Sequence, residues 1–234
     1  MLKSEKVEKI LSKSKYNFDD LCLILEILRG EGGCPWDTEQ THESIRKNFI
    51  EETYEVLEAI DNKDTKLLRE ELGDVLLQIV FHTQMEKELG TFDIDDVAND
   101  VCVKLVHRHP HIFSDVIAES ADEVLTNWEA IKNVEKKRDT MYDRLSSIPP
   151  MTPSLMRASK VSKKSGEYKA LSNSDLLQII SSGITNLSKN PQNISVESIG
   201  DLLFMISALS SKCEIDPEEA LFKTTNNFIE KYKE

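Results

Sequence analysis

The sequence predicts an all-α protein, and three observations predict it. Apolar residues recur at helical spacing through almost every segment, as in Leu21, Ile24, Leu25 and Leu28. No stretch alternates apolar and polar residues as a half-buried strand would. Helix punctuation falls between the periodic runs: Asp64 stands ahead of the longest, Gly90 ends it, and Phe92-Asp93-Ile94-Asp95 opens the next.

In chain order, residues 1–15 are rich in Lys and Glu and lead into or form a frayed helix. Asp19 or Asp20 then opens an amphipathic helix, which Arg29-Gly30-Glu31-Gly32-Gly33 stops. Cys34-Pro35-Trp36-Asp37 reads as a rigid loop, and a further helix follows from about Thr38 or Thr41. Trp36 is most simply a plug in the core at the base of the bundle; shaping a substrate pocket is its alternative reading.

The next stretch, Glu51 to Asp74, organises the chain. It reads as two helices joined by the polar turn Asp61-Asn62-Lys63-Asp64, with Asp64 capping the second. Glu52 and Glu55 are one turn apart, as are Glu71 and Asp74, so each pair shares a helix face. Folding the hairpin about Lys63 brings Glu55 level with Glu71 and Glu52 level with Asp74. Four carboxylates at one spot cannot all stay ionised in a partly dry site without a counter-charge. A solvated acidic face would avoid that conflict. The neighbouring residues Val75-Leu76-Leu77 and Ile79-Val80-Phe81 are apolar nearly all round their helix, however, and such a helix is buried on more than one side. An all-oxygen ligand set without His or Cys suits a hard cation, Mg²⁺ or Mn²⁺.

Beyond Gly90, a helix with Val97, Val101 and Leu105 delivers Lys104 and Arg108 one turn apart and ends in His107-Arg108-His109-Pro110-His111. A basic helix end that meets phosphates is the preferred reading. A zinc site of barrel hydrolases is disfavoured, because no strands accompany the histidines. Trp128 and Lys132 then share a face: an indole can stack on a base and a lysine can reach phosphate, or they are a core Trp beside a surface Lys. Pro149, Pro150 and Pro153 mark a boundary, with a basic helical connector at 155–160 and a shorter helical unit at 175–234.

At 234 residues the chain can bury a core, as one domain or two small ones. A formal net charge of −13 argues against a nucleic-acid polymer or an anionic membrane as the main partner. Four scattered cysteines without a Cys-x-x-Cys pair indicate neither a zinc knuckle nor a disulfide framework. Without a signal-like segment or a membrane-length apolar run, a reduced, cytoplasmic protein is expected.

The ordered set of motifs resembles the MazG-type nucleoside triphosphate pyrophosphohydrolases, all-α enzymes that cut an NTP to an NMP and pyrophosphate. The resemblance runs from about Leu21 to Lys164. It rests on CPWD at 34–37, EETYE at 51–55, ELGD at 71–74, KLVHRHPHIF at 104–113, WEAIK at 128–132 and LMRASK at 155–160. It implies Mg²⁺ (or Mn²⁺) on Glu52, Glu55, Glu71 and Asp74, with Glu51 as an acid behind these ligands or one that orients water. It also implies Lys104 and Arg108 on phosphates, Trp128 and Lys132 completing the nucleotide pocket, and a homodimer.

The implied organisation is a MazG-like catalytic module at 1–140, a Pro-containing boundary and connector at 141–174, and a degenerate second module at 175–234. Ser198-Ile199-Gly200-Asp201 echoes Glu71-Leu72-Gly73-Asp74 with its first acid lost, and no Glu occurs from 168 to 196. The expected function is Mg²⁺-dependent hydrolysis of NTPs or dNTPs, in nucleotide-pool house-cleaning. The alternative is a catalytically weak nucleotide-binding or regulatory protein of the same fold. A ferritin-like di-iron protein would need Glu-x-x-His pairs, which neither acidic pair supplies.

Overall fold

The computed structural model describes residues 5–233, and among these no strand occurs. Two compact units divide the chain after Val116. The first holds α1 (Glu5–Leu11), α2 (Phe18–Arg29), α3 (Pro35–Glu39), α4 (Arg46–Asp61), α5 (Thr65–Leu89), α6 (Ile94–Arg108) and α7 (Pro110–Phe113). The second holds α8 (Ala121–Glu135), α9 (Met141–Ser146), α10 (Ser154–Ser165), α11 (Asn173–Lys189), a 3₁₀ turn (Pro191–Asn193), α12 (Val196–Lys212) and α13 (Pro217–Glu230).

The α4–α5 hairpin is the backbone of the first unit, and its turn follows from local chemistry. Lys63 adopts a left-handed conformation (φ 54°), which reverses the chain. Asp64 then accepts hydrogen bonds from the amides of Lys66 and Leu67, both at 3.0 Å, and so satisfies two orphan donors at the start of α5. At the far end, Gly90 (φ 71°) closes α5 in the left-handed region that glycine enters without strain.

Leu25 from α2, Ile45 ahead of α4, and Val80, Phe81 and Met85 from α5 form the core, with Leu21, Cys22, Ile24 and Leu77 against it. Arg29 locks this arrangement. Its guanidinium lies 5.3 Å from the Phe81 ring centre and donates twice, at 2.9 Å, to the Glu88 carboxylate. It also donates to the backbone carbonyls of Asp37 (2.5 Å) and Gln40 (3.2 Å).

Several sequence expectations need correction. Trp36 does not plug the core; it is 58% exposed. Pro35 starts the one-turn helix α3 instead of a loop, and Arg29 anchors that helix through its carbonyls, so no aromatic anchor is required. The next helix begins at Arg46 and not near Thr38 or Thr41, because Ile45 is drawn into the core. Asn17, and not Asp19 or Asp20, caps α2; Asp20 completes the capping box and takes Lys13 at 2.5 Å. Helix α5 is covered by α4 and α2, yet Leu72 (51% exposed) and Leu76 (37%) remain on the surface.

In the second unit, α12 packs against α10 and α11, burying Leu176 and Ile180 from α11 and Ser207 and Ala208 from α12. A Cβ on Gly183 would come within 2.9 Å of Leu202 Cδ2, so the Leu202 side chain of α12 packs over the space this glycine leaves on α11. The basic segment read as a connector is α10. The Glu218 carboxylate caps it, accepting from the amides of Leu155 (3.2 Å) and Met156 (3.4 Å).

Replacing Asp64 with Ala should lower unfolding stability by about 1 kcal/mol, the usual worth of an N-cap. Urea unfolding of the wild type and the variant checks this, and an unchanged midpoint would show that the cap does not hold the turn.

Candidate carboxylate metal centre

Helical geometry alone puts the acids of α4 and α5 on facing surfaces, and packing of the two helices brings them together. Glu52, Glu55 and Glu71 each offer a carboxylate oxygen within 4.8 Å of the other two. Glu71 is buried (8% exposed), Glu52 is half-buried and Glu55 is exposed, so the cluster runs from the interhelical seam to solvent. Asp74 is half-buried and stands outside this trio, but its charge bears on both Glu52 and Glu71.

The electrostatics show the strain of this arrangement. Burial pushes the Glu71 carboxyl above the usual glutamate range, and Glu55, by hydrogen bond and by charge, and Asp74 push it further. Burial also raises Glu52, with the charges of Asp74, Glu55 and Glu51 adding to the effect. The charges that weigh most on these two groups are all carboxylates. A set of clustered oxygens with excess negative charge fits a hard divalent cation. Glu51 is exposed and one residue from Glu52, and its charge reaches the cluster.

The residues expected to contact phosphates and to complete the pocket stand on α6 and α8. Lys104 is exposed near the end of α6, and Arg108 is buried (5% exposed) at its last residue. Trp128 and Lys132 are half-buried on α8 of the second unit. Lys132 Nζ is 3.3 Å from one Glu129 oxygen and Lys164 Nζ is 3.6 Å from the other. Burial works upward on Glu129, but the two lysines hold its carboxyl below the usual range.

In the second unit, Ser198 stands where the echo of Glu71 falls. Its hydroxyl accepts from the Ser195 amide at 3.0 Å and closes a capping box. Asp201 is exposed. Among the described residues, the acidic trio of the first unit is the cluster suited to a metal ion.

The structure also brings together three titratable side chains that the sequence pattern does not group: His42, His82 and Glu86. His42 Nδ1 lies 2.6 Å from His82 Nδ1, and His42 Nε2 lies 2.7 Å from a Glu86 oxygen. The one-turn spacing of His82 and Glu86 on α5 was a readable signal. Their partner His42 lies outside any helix, so periodicity could not supply it.

An all-α chain with a carboxylate cluster between two antiparallel helices defines the class, and comparison with known proteins gives the family. The model of the MazG nucleotide pyrophosphohydrolase domain matches residues 40–113. The chain is 40% identical over 220 residues to the nucleoside triphosphate pyrophosphohydrolase/pyrophosphatase MazG of Thermotoga maritima, covering 92% of this chain and 84% of the relative. It is 38% identical over 225 residues to the nucleoside triphosphate pyrophosphohydrolase of Escherichia coli, covering 92% and 86%. It is also 39% identical over 235 residues to the uncharacterized protein YabN of Bacillus subtilis, of which it spans 47%. The chain belongs to the MazG family.

The raised carboxyls have a consequence for stability. A Glu whose folded-state pKa lies above its unfolded value penalises the fold above that raised pKa, and the penalty is relieved as pH falls through it. Metal-free Glu71→Gln should therefore melt higher than wild type at pH 7. The gap should close as pH falls through the raised values towards about 4.3, the ordinary glutamate pKa. Thermal melts in chelator across this range test it; a gap independent of pH would contradict the electrostatic account.

Proposed function

We propose that this chain hydrolyses nucleoside triphosphates to nucleoside monophosphate and pyrophosphate at the α4–α5 carboxylate cluster. The observation that carries the reading is the convergence of Glu52, Glu55 and Glu71, with the charge of Asp74, in a member of the MazG family. Its relatives from Thermotoga maritima and Escherichia coli are named for this activity.

In this reading Glu52, Glu55, Glu71 and Asp74 hold Mg²⁺, with Mn²⁺ as a substitute. When bound, the cation offsets the charge between the acids and the triphosphate and makes a bound water more acidic. Glu51 orients the attacking water and accepts its proton. Water adds at one phosphorus of the α–β bridge, the bond from that phosphorus to the bridging oxygen breaks, and the other fragment leaves with the electron pair, so that NMP and pyrophosphate result. Lys104 and Arg108 balance the charge on the phosphate chain and the leaving group. Trp128 stacks on the base and Lys132 reaches phosphate; for that, Lys132 must exchange its contact with Glu129.

The working assembly in this proposal is a homodimer in the cytoplasm that cleans the nucleotide pool. Leu57, Ile60 and Leu72 on the acidic hairpin are each about half exposed, which supports a partner surface there. No helix among the described residues is long and apolar enough to cross a membrane. Residues 1–140 form the catalytic module, 141–174 the boundary and 175–234 a degenerate module without catalysis. The loss of the first acid at Ser198 supports this division. The second reading, a catalytically weak binding protein of the same fold, is favoured by that same loss.

Two experiments follow. Purified protein with Mg²⁺ and each common NTP and dNTP should release NMP and pyrophosphate in equal amounts. Accumulating NDP would overturn the assignment, and substrate binding without product would favour the weak binding protein. In the same assay Asp74→Asn should lose at least about 100-fold in turnover, on the scale of the several kcal/mol that a metal site contributes. Asp201→Asn should stay near wild type; equal losses would make the second unit a working site.

A further inference from the structure

The His42–His82–Glu86 group lies on the same hairpin as the acids but has no part in the chemistry above. The three side chains come from the segment ahead of α4 and from the last turns of α5, at the end of the hairpin opposite its turn. The imidazole planes are 1° from parallel with centres 4.9 Å apart, and the 2.6 Å contact between the two Nδ1 atoms sets the rings edge to edge. Phe49 of α4 lies 6.0 Å from His82. The second Glu86 oxygen accepts from the Thr91 hydroxyl, so the carboxylate is fixed from both sides.

We propose that His42 and His82, oriented by Glu86, are positioning residues for the carboxylate centre: a proton-dependent clasp that closes the open end of the α4–α5 hairpin and so sets the Glu52 and Glu55 face against the Glu71 and Asp74 face. The inference rests on the metal-site reading above. The acids repel one another in the middle of the hairpin; the Lys63–Asp64 turn restrains one end, and Ile45 packed with Val80, Phe81 and Met85 holds the other by apolar contact. The clasp adds a polar tie at that second end.

The proton inventory gives the clasp its switch. With both histidines neutral, His42 donates Nε2–H to Glu86 and accepts at Nδ1 from His82 Nδ1–H, so every polar atom in the chain of contacts is matched. One added proton is also accommodated: His42 then donates from both nitrogens, to Glu86 and to a neutral His82. A second proton puts N–H groups face to face at 2.6 Å, and the contact cannot persist.

The surrounding charges favour a closed clasp at neutral pH. Glu86 faces His42 from α5, and the charge of His42 also registers on Glu43 in its own segment. From α4 the neighbour of His82 is uncharged Phe49. On α2, Asp19 and Asp20 stand in the first turn, with Asp20 paired to Lys13; Glu26 is engaged with Lys6 and Lys87, and Arg29 with Glu88. Burial, and then the charge of His42, push the His82 pKa below the usual histidine value, so opening belongs to the range below about 6.5.

The test is Mn²⁺ affinity measured by calorimetry without nucleotide, from pH 8 to pH 5.5, with helicity followed by circular dichroism. His82→Phe keeps the ring volume but removes the nitrogen, and should weaken Mn²⁺ binding about tenfold at every pH, as loss of a supporting residue typically does. His82→Asn offers a donor that does not titrate. It should match wild type at pH 8 and bind more tightly than wild type at pH 5.5. The Asn variant shares the protonation of the acids with wild type, so the difference between the two isolates the imidazole. Wild-type affinity in His82→Phe, or an identical pH dependence in wild type and His82→Asn, would overturn the clasp while leaving the metal site standing. Should His82→Phe fail to fold, the comparison with His82→Asn decides alone. If wild type binds no Mn²⁺ at pH 8, the carboxylate-site reading fails and the clasp falls with it.

Discussion

The structure depends on holding like charges together. Glu52, Glu55 and Glu71 approach within 4.8 Å, although the charges of Glu55 and Asp74 raise the cost of ionising Glu52 and Glu71. Isolated helices would turn these faces outward to water. Here the helices cannot turn, because Leu77, Val80, Phe81 and Met85 of α5 are committed to a core with α2 and Ile45. Apolar burial on one side of α5 thus fixes the orientation of its acids on another.

The rest of the first unit acts on that seam from its ends. The left-handed Lys63 and the Asp64 cap make the turn abrupt, so α4 and α5 start side by side. Arg29 reaches from α2 to Glu88 near the end of α5 and to the carbonyls that close α3. One guanidinium therefore ties three elements around the Phe81 ring. These contacts lie away from the carboxylates, so the cluster is held from outside itself.

The two units treat similar sequence in different ways. Gly200 and Asp201 of α12 match Gly73 and Asp74 of α5, but Ser198 stands at the position that corresponds to Glu71, and its hydroxyl serves the helix start. Charge in the second unit is balanced locally, as where Lys132 and Lys164 both meet Glu129. The α4–α5 seam of the first unit gathers carboxylates whose strongest charged neighbours are other carboxylates, although ion pairs such as Lys13–Asp20 and Arg29–Glu88 occur in the same unit.

Much of this was legible in the sequence. The α4–α5 hairpin, its turn residues, the Asp64 cap and the Gly90 stop all follow from local propensity and periodicity, which act within a few residues. The acidic faces were equally legible, because helix geometry fixes which residues share a side and the turn fixes the register. Tertiary structure decided what depends on distant partners. Trp36 lies on the surface because Arg29, seven residues earlier in the chain, supplies the anchor that an aromatic plug would otherwise provide. Helix α4 starts at Arg46 because the core takes Ile45. His42 meets His82 across 40 residues, a distance over which no helical period carries information. Local rules determine which elements form and which face is polar; only packing decides which of two polar side chains on separate elements will meet, because that choice is made by the apolar contacts around them.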